Sequence, residues 1–138
     1  MLSEISGEVR VYDLDGADLR EVQTIAADSL RGEGSADIHL SPDGRHLYAS
    51  NRLKADGIVH YTVDSVSGRL TRAGYQLTGV HPRNFAITPN GRWLLVACRD
   101  DNVIEIYSRD LTSGELVRQG EIPVSKPTCV QFAPYGRQ

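Results

Sequence analysis

A unit of about 47 residues occurs twice in the chain, and this repetition constrains the fold more than any other feature. Laying "SADIHLSPDGRHLYASNR" (Ser35 to Arg52) over "PRNFAITPNGRWLLVACRD" (Pro82 to Asp100) puts Pro42 on Pro89 and Gly44 on Gly91, both 47 apart. The segments that follow match at 46, with Tyr61 on Tyr107, Asp64 on Asp110, Gly68 on Gly114 and Leu70 on Leu116. Each copy contains four stretches such as "ADIHLS", "HLYAS", "IVHYTV" and "LTRAGYQL". Their two-residue alternation and their Tyr, Val, Ile and Thr content predict β-strands. The Asp-Gly and Asn-Gly pairs of "SPDGR" and "TPNGR" predict tight hairpin turns, because these residues tolerate positive φ. "DSVSGRL" and "DLTSGEL" are longer connections, and "ADLREVQTIAADSLRGEG" reads as a strand plus a polar loop, not a helix.

Partial copies flank the two whole ones. "VRVYDLD" and "LREVQTI" match the third and fourth strands of the unit, preceded by a remnant of the second, "MLSE". "PTCVQFAPYG" restates "PRNFAITPNG" at a spacing of 45. The expected division is therefore residues 1–30 as the end of one unit, 35–78 and 82–124 as whole units, and 127–133 as a lone first strand.

Four-stranded units of this length are the mark of a β-propeller, whereas β-helix repeats are shorter. The fold class is all-β: about two and a half antiparallel blades of a seven-bladed ring. Seven such blades need roughly 330 residues, so the chain is expected to be the C-terminal two-fifths of a longer protein. Its partners are then the missing N-terminal blades, or other copies of itself drawn together by open strand edges and apolar blade faces.

Composition narrows the function classes. A net charge of -3 with 15 scattered Lys and Arg argues against a nucleic-acid partner. No apolar run is long enough to span a bilayer, the first residues lack a signal-peptide pattern, and the expected location is cytoplasmic. Cys98 and Cys129 have no neighbouring Cys or His at metal-ligand spacing, so both read as free, buried strand residues, with no metal and no cofactor expected. No Gly-Xaa-Ser-Xaa-Gly motif supports serine-esterase chemistry.

"SADIHLSPDGRHLYASNR", "HPRNFAITPNGRWLLVACRDDNVIEIYSRD" and "SEISGEVRVYDLD", in this order, resemble the bacterial 6-phosphogluconolactonase-like lactonases. That family of seven-bladed propellers also includes the fungal carboxymuconate lactonizing enzymes. The resemblance implies a site in the central cleft built from a Glu, a His and several Arg. Glu4 falls at the family's Glu, His39 at the His of "ADIH", Arg52 at the Arg of "SNR" and Arg83 at the Arg of "PRNF". Ser3 stands where the family more often has Asn, and the blades carrying another His and Arg lie outside the chain.

Opening a lactone with water needs a base for the water proton, positive charge near the carbonyl oxygen and an acid for the leaving alcohol. Glu4 fits the base, and His39 exchanges protons near neutral pH. Arg52 and Arg83 suit the phosphate or carboxylate of a sugar-acid substrate. Glu4, Arg52 and Arg99 also stand five or six residues before a third strand in successive units, which predicts one polar ring at a common height. Asp37 and Asn84 occupy one equivalent position and are assigned to tying neighbouring blades together through backbone hydrogen bonds. Two other readings use the same residues: a non-catalytic propeller binding a small acidic ligand or a protein, and an isomerase or lactonizing enzyme acting on a dicarboxylate.

Overall fold

The structure, a computed structural model, describes residues 1–27 and 33–133. Eleven strands run in order: β1 (Leu2–Ser3), β2 (Glu8–Asp15), β3 (Asp18–Ala26), β4 (Ser35–Leu40), β5 (His46–Asn51), β6 (Gly57–Val63), β7 (Leu70–Leu77), β8 (Pro82–Ile87), β9 (Trp93–Cys98), β10 (Val103–Arg109) and β11 (Leu116–Pro123). They form a three-stranded sheet, β1-β2-β3, and two four-stranded sheets, β4-β5-β6-β7 and β8-β9-β10-β11, each antiparallel and in sequence order. Each four-stranded sheet is one blade, and among the described residues there is no helix. Strands β4 to β7 fall within residues 35–78 and β8 to β11 within 82–124, while residues 28–30 of the first unit lie outside the described residues.

Alternation along the strands explains the stacking. Tyr48 and Ile58 pack with Phe85, Leu94, Val96 and Tyr107 of the following blade. Their neighbours Ala49 and Val59 pack with Val9 of the preceding sheet, so both faces of the central blade are buried. Tyr61 sends its hydroxyl to the end of the previous blade, reaching Ala26 O at 2.8 Å, whereas Tyr107 Oη lies 3.3 Å from the equivalent Leu77 O and 2.7 Å from Glu105 Oε2 of its own blade. A buried tyrosine needs such an acceptor, which is why the residue recurs at this position.

The hairpin turns differ from expectation in one respect. Gly44 and Gly91 take positive φ (72° and 70°), but Asp43 and Asn90 do not. Their side chains instead cap the turn, accepting hydrogen bonds from Arg45 N and Arg92 N at 3.1 Å.

Blade junctions carry the expected clamp. Asp37 Oδ2 accepts from Phe85 N at 3.0 Å, and Asn84 Oδ1 accepts from Val130 N at 2.7 Å. Residues 127–133 are therefore placed like a first strand, yet they form no ladder, because no described strand lies where their second strand would pair. This exposes Cys129, contrary to its expected burial; only Cys98 is buried, where desolvation and then Glu105 push its thiol up to about 12.

Candidate functional site

The loops β1–β2, β5–β6 and β9–β10 share one end of the sheets with the crossovers between blades. Backbone hydrogen bonds stitch them together: Gly34 N to Glu4 O at 2.8 Å, Arg52 N to Gly34 O at 3.1 Å and Arg99 N to His81 O at 3.1 Å. Glu4, Arg52 and Arg99 thus come to one surface, as their equivalent positions predict.

What joins them is a residue that sequence reasoning passed over. Arg52 donates through Nη2 to Glu4, while its Nη1 lies 3.1 Å from His81 Nε2. On the other side of the ring, His81 Nδ1 lies 3.3 Å from both Arg99 Nη2 and Asp100 Oδ2. Asp100 also accepts from Arg99 Nε at 2.9 Å and pairs with Lys126 Nζ at 3.5 Å. The chain Glu4–Arg52–His81–Arg99–Asp100–Lys126 crosses from the first sheet to the third. Glu4 keeps 64% of its side chain exposed and Arg52 only 10%, so Glu4 faces solvent while Arg52 is held.

His81 sits before β8 with φ of 62° and gives its backbone N–H to Asp56 Oδ1 at 2.8 Å. Burial, then the charges of Arg99 and Arg52, hold its imidazole below the ordinary 6.5, so it is neutral near pH 7. Asp100 is drawn down to about 2, first by its hydrogen bond from Arg99. The sequence signal for His81 is its place directly before "PRNF", a stretch read for Arg83 and Asn84.

Arg83 occupies an irregularity. The register of β8 on β9 steps from Pro82↔Cys98 to Asn84↔Ala97, leaving Arg83 with no residue opposite. It is exposed, and its side chain makes no hydrogen bond or ion pair with any described residue.

His39 lies apart from this chain. Its Nε2 is 3.0 Å from Asp37 Oδ2 and its ring meets Phe85 edge-on at 4.9 Å, so it joins the blade clamp. Among the described residues, no hydrogen bond or ion pair links His39 to Glu4, Arg52, Arg83 or Arg99. Burial raises the Asp37 carboxyl, but the hydrogen bonds from His39 and Phe85 outweigh it and leave Asp37 below its ordinary value. Among the described residues, no group of three or more His, Cys, Asp or Glu is placed to hold a metal ion, and no helix is long and apolar enough to cross a membrane.

A stack of four-stranded antiparallel sheets of this kind defines a propeller. The family model described as "Lactonase, 7-bladed beta-propeller" matches residues 1–132, and the chain belongs to that family. The 6-phosphogluconolactonase of Formosa agariphila is 40% identical over 139 residues, covering 97% of this chain and 39% of the relative. A solved structure from Bacteroides fragilis, provisionally described as a 6-phosphogluconolactonase, is 56% identical with a TM-score of 0.93, over 95% of this chain and 37% of that one. The periplasmic gluconolactonase PpgL of Pseudomonas aeruginosa is 32% identical with a TM-score of 0.89, over 95% of this chain and 38% of its own. The chain thus spans about two-fifths of these relatives; those shares give the size of the part and not its place in the ring.

Proposed function

We propose that the protein containing this chain hydrolyses the lactone of a sugar acid, 6-phosphogluconolactone or a close analogue. The family match over residues 1–132 carries the proposal, because the matched stretch includes Glu4, Arg52 and Arg99 in one polar chain, with Arg83 exposed on the same stretch. Glu4 takes a proton from water as its oxygen bonds to the lactone carbonyl carbon, and the ring C–O bond then breaks. His39, tied to Asp37 through Nε2, gives the leaving oxygen a proton carried on Nδ1 and takes one back from solvent, to which Glu4 releases the water proton. Arg52, Arg83 and Arg99 supply positive charge to the carbonyl oxygen and to the substrate's phosphate or carboxylate. The remaining groups of the site come from blades beyond this chain.

Similarity to the Pseudomonas gluconolactonase supports a second reading, in which the substrate carries no phosphate. Turnover of 6-phosphogluconolactone and gluconolactone by the full-length protein separates the two. Glu4→Gln is expected to lower kcat by about a hundredfold to ten-thousandfold, and His39→Ala by about tenfold or more, with melting unchanged in Glu4→Gln. Wild-type rates in both variants would remove these residues from the chemistry.

A further inference from the structure

We infer that His81 is a positioning residue that selects for an anionic substrate, bridging Arg52 and Arg99 so that two blades present their guanidinium groups as one fixed pair. The inference rests on the lactonase reading and names the part of that site that sorts substrates.

Two guanidinium groups repel, and two long side chains in water seldom keep one spacing. Here a single imidazole touches both, at 3.1 Å and 3.3 Å. A neutral imidazole has one N–H and one lone pair. Nε2 faces only a donor, Arg52 Nη1, whereas Nδ1 also faces an acceptor, Asp100 Oδ2 at 3.3 Å. One tautomer satisfies this: Nδ1–H donates to Asp100, and the Nε2 lone pair accepts from Arg52. Arg99 is then anchored through Asp100, with hydrogen bonds of 2.9 Å and 3.1 Å.

The groups facing the imidazole are Arg52, Arg99 and Asp100, with Asp56 on its backbone, and Glu4 and Lys126 reached through Arg52 and Asp100. An imidazolium here would stand between two cations with one carboxylate to offset it. His81 is also fixed at both ends of its residue, by Asp56 on its N–H and Arg99 N on its carbonyl. A preorganised pair of guanidinium groups suits a phosphate or carboxylate, whose oxygens accept from both, and offers little to an uncharged hydroxyl.

The test uses the full-length protein with 6-phosphogluconolactone and gluconolactone. Asn tolerates the left-handed backbone but reaches only the Nδ1 position, while Gln places an acceptor near Nε2. His81→Asn is expected to raise KM for the phosphorylated lactone about tenfold, the loss of one charge-assisted hydrogen bond, and to raise KM for gluconolactone much less. His81→Gln recovers most of the KM effect. Equal losses on both lactones, or no loss on either, overturn the inference. If the wild type hydrolyses neither lactone, the lactonase reading falls, and the imidazole nitrogen NMR shifts of His81 together with affinity for inorganic phosphate judge the bridge. A neutral Nδ1–H tautomer, with phosphate affinity that drops about tenfold in His81→Asn, supports it; the other tautomer, an imidazolium near neutral pH or unchanged phosphate affinity overturns it.

Discussion

Two clusters in this chain are built from the same residue types at opposite ends of the sheets. At the hairpin-turn end, Arg109 donates through Nε to Tyr48 Oη at 2.9 Å, through Nη1 to Gly91 O at 3.0 Å, and through Nη2 to His46 Nδ1 at 2.7 Å and Asp43 Oδ2 at 3.1 Å. Its side chain is fully buried. At the crossover end, Arg52, Arg99, His81 and Asp100 repeat the Arg–His–Asp theme, but Glu4 is open to solvent and the Arg83 side chain has no described partner. A guanidinium whose three nitrogens are all satisfied inside the protein has nothing left for a ligand. It locks one blade to the next. One that ends beside an exposed carboxylate and an unpaired cation retains binding capacity. Residue type therefore does not separate a clamp from a site; burial and the count of unspent donors do.

The comparison can be broken most directly at Arg109. Arg109→Leu leaves the buried Tyr48, Gly91 and His46 acceptors without their donor and is expected to destabilise the full-length protein by about 1–3 kcal/mol in urea unfolding, with near-normal kcat in the folded fraction. A loss of activity without a loss of stability would reverse the roles assigned to the two ends. Asp37→Ala removes the acceptor of Phe85 N, Asn84 Nδ2 and His39. It should cost about 1–3 kcal/mol through the unpaired amide and lower kcat through loss of the support for His39. Arg83→Ala, having no internal partner to strand, is expected to leave unfolding unchanged while KM for an anionic lactone rises about tenfold or more, the worth of a hydrogen bond to a charged group.

Acid sharpens the contrast by a smaller effect. Burial holds His46, His60 and His81 below the ordinary 6.5. Below that value the unfolded chain binds more protons than the folded one, so stability is full above 6.5 and declines as the pH falls through the folded values. Unfolding midpoints measured from neutral to acid pH should fall before the carboxylates titrate. His46→Gln should flatten that decline more than His81→Gln, since His46 is the histidine in the buried clamp. A flat profile above the carboxylate range would contradict the assignment of neutral, buried imidazoles.

The sequence carried the architecture because repetition is visible without coordinates. Tyr61 and Tyr107, Gly44 and Gly91, Asp64 and Asp110 each recur for one mechanical reason per blade, and the structure shows that reason in a hydroxyl set against the end of the preceding blade, a left-handed turn residue and a loop cap. Glu4, Arg52 and Arg99 were also legible, since equivalent positions in successive blades share a height. His81 was not, because it has no counterpart at a repeated position and its partners come from two loops, β5–β6 and β9–β10, of different blades. Arg109 was overlooked for the opposite reason: it sits in "YSRD", an unremarkable strand end, and only the approach of the neighbouring turn buries it.

By itself the sequence determined the blade, its strand order and which side chains share one end of successive blades, because alternation and turn chemistry are local properties of the chain. Tertiary structure alone decided which of these residues meet. It placed His39 on Asp37 instead of beside Glu4, joined Arg52 to Arg99 through His81, and buried Arg109 while leaving Arg83 open. Contacts between blades depend on the stacking of sheets some 47 residues apart in the chain, and no local pattern encodes which donor finds which acceptor across that gap.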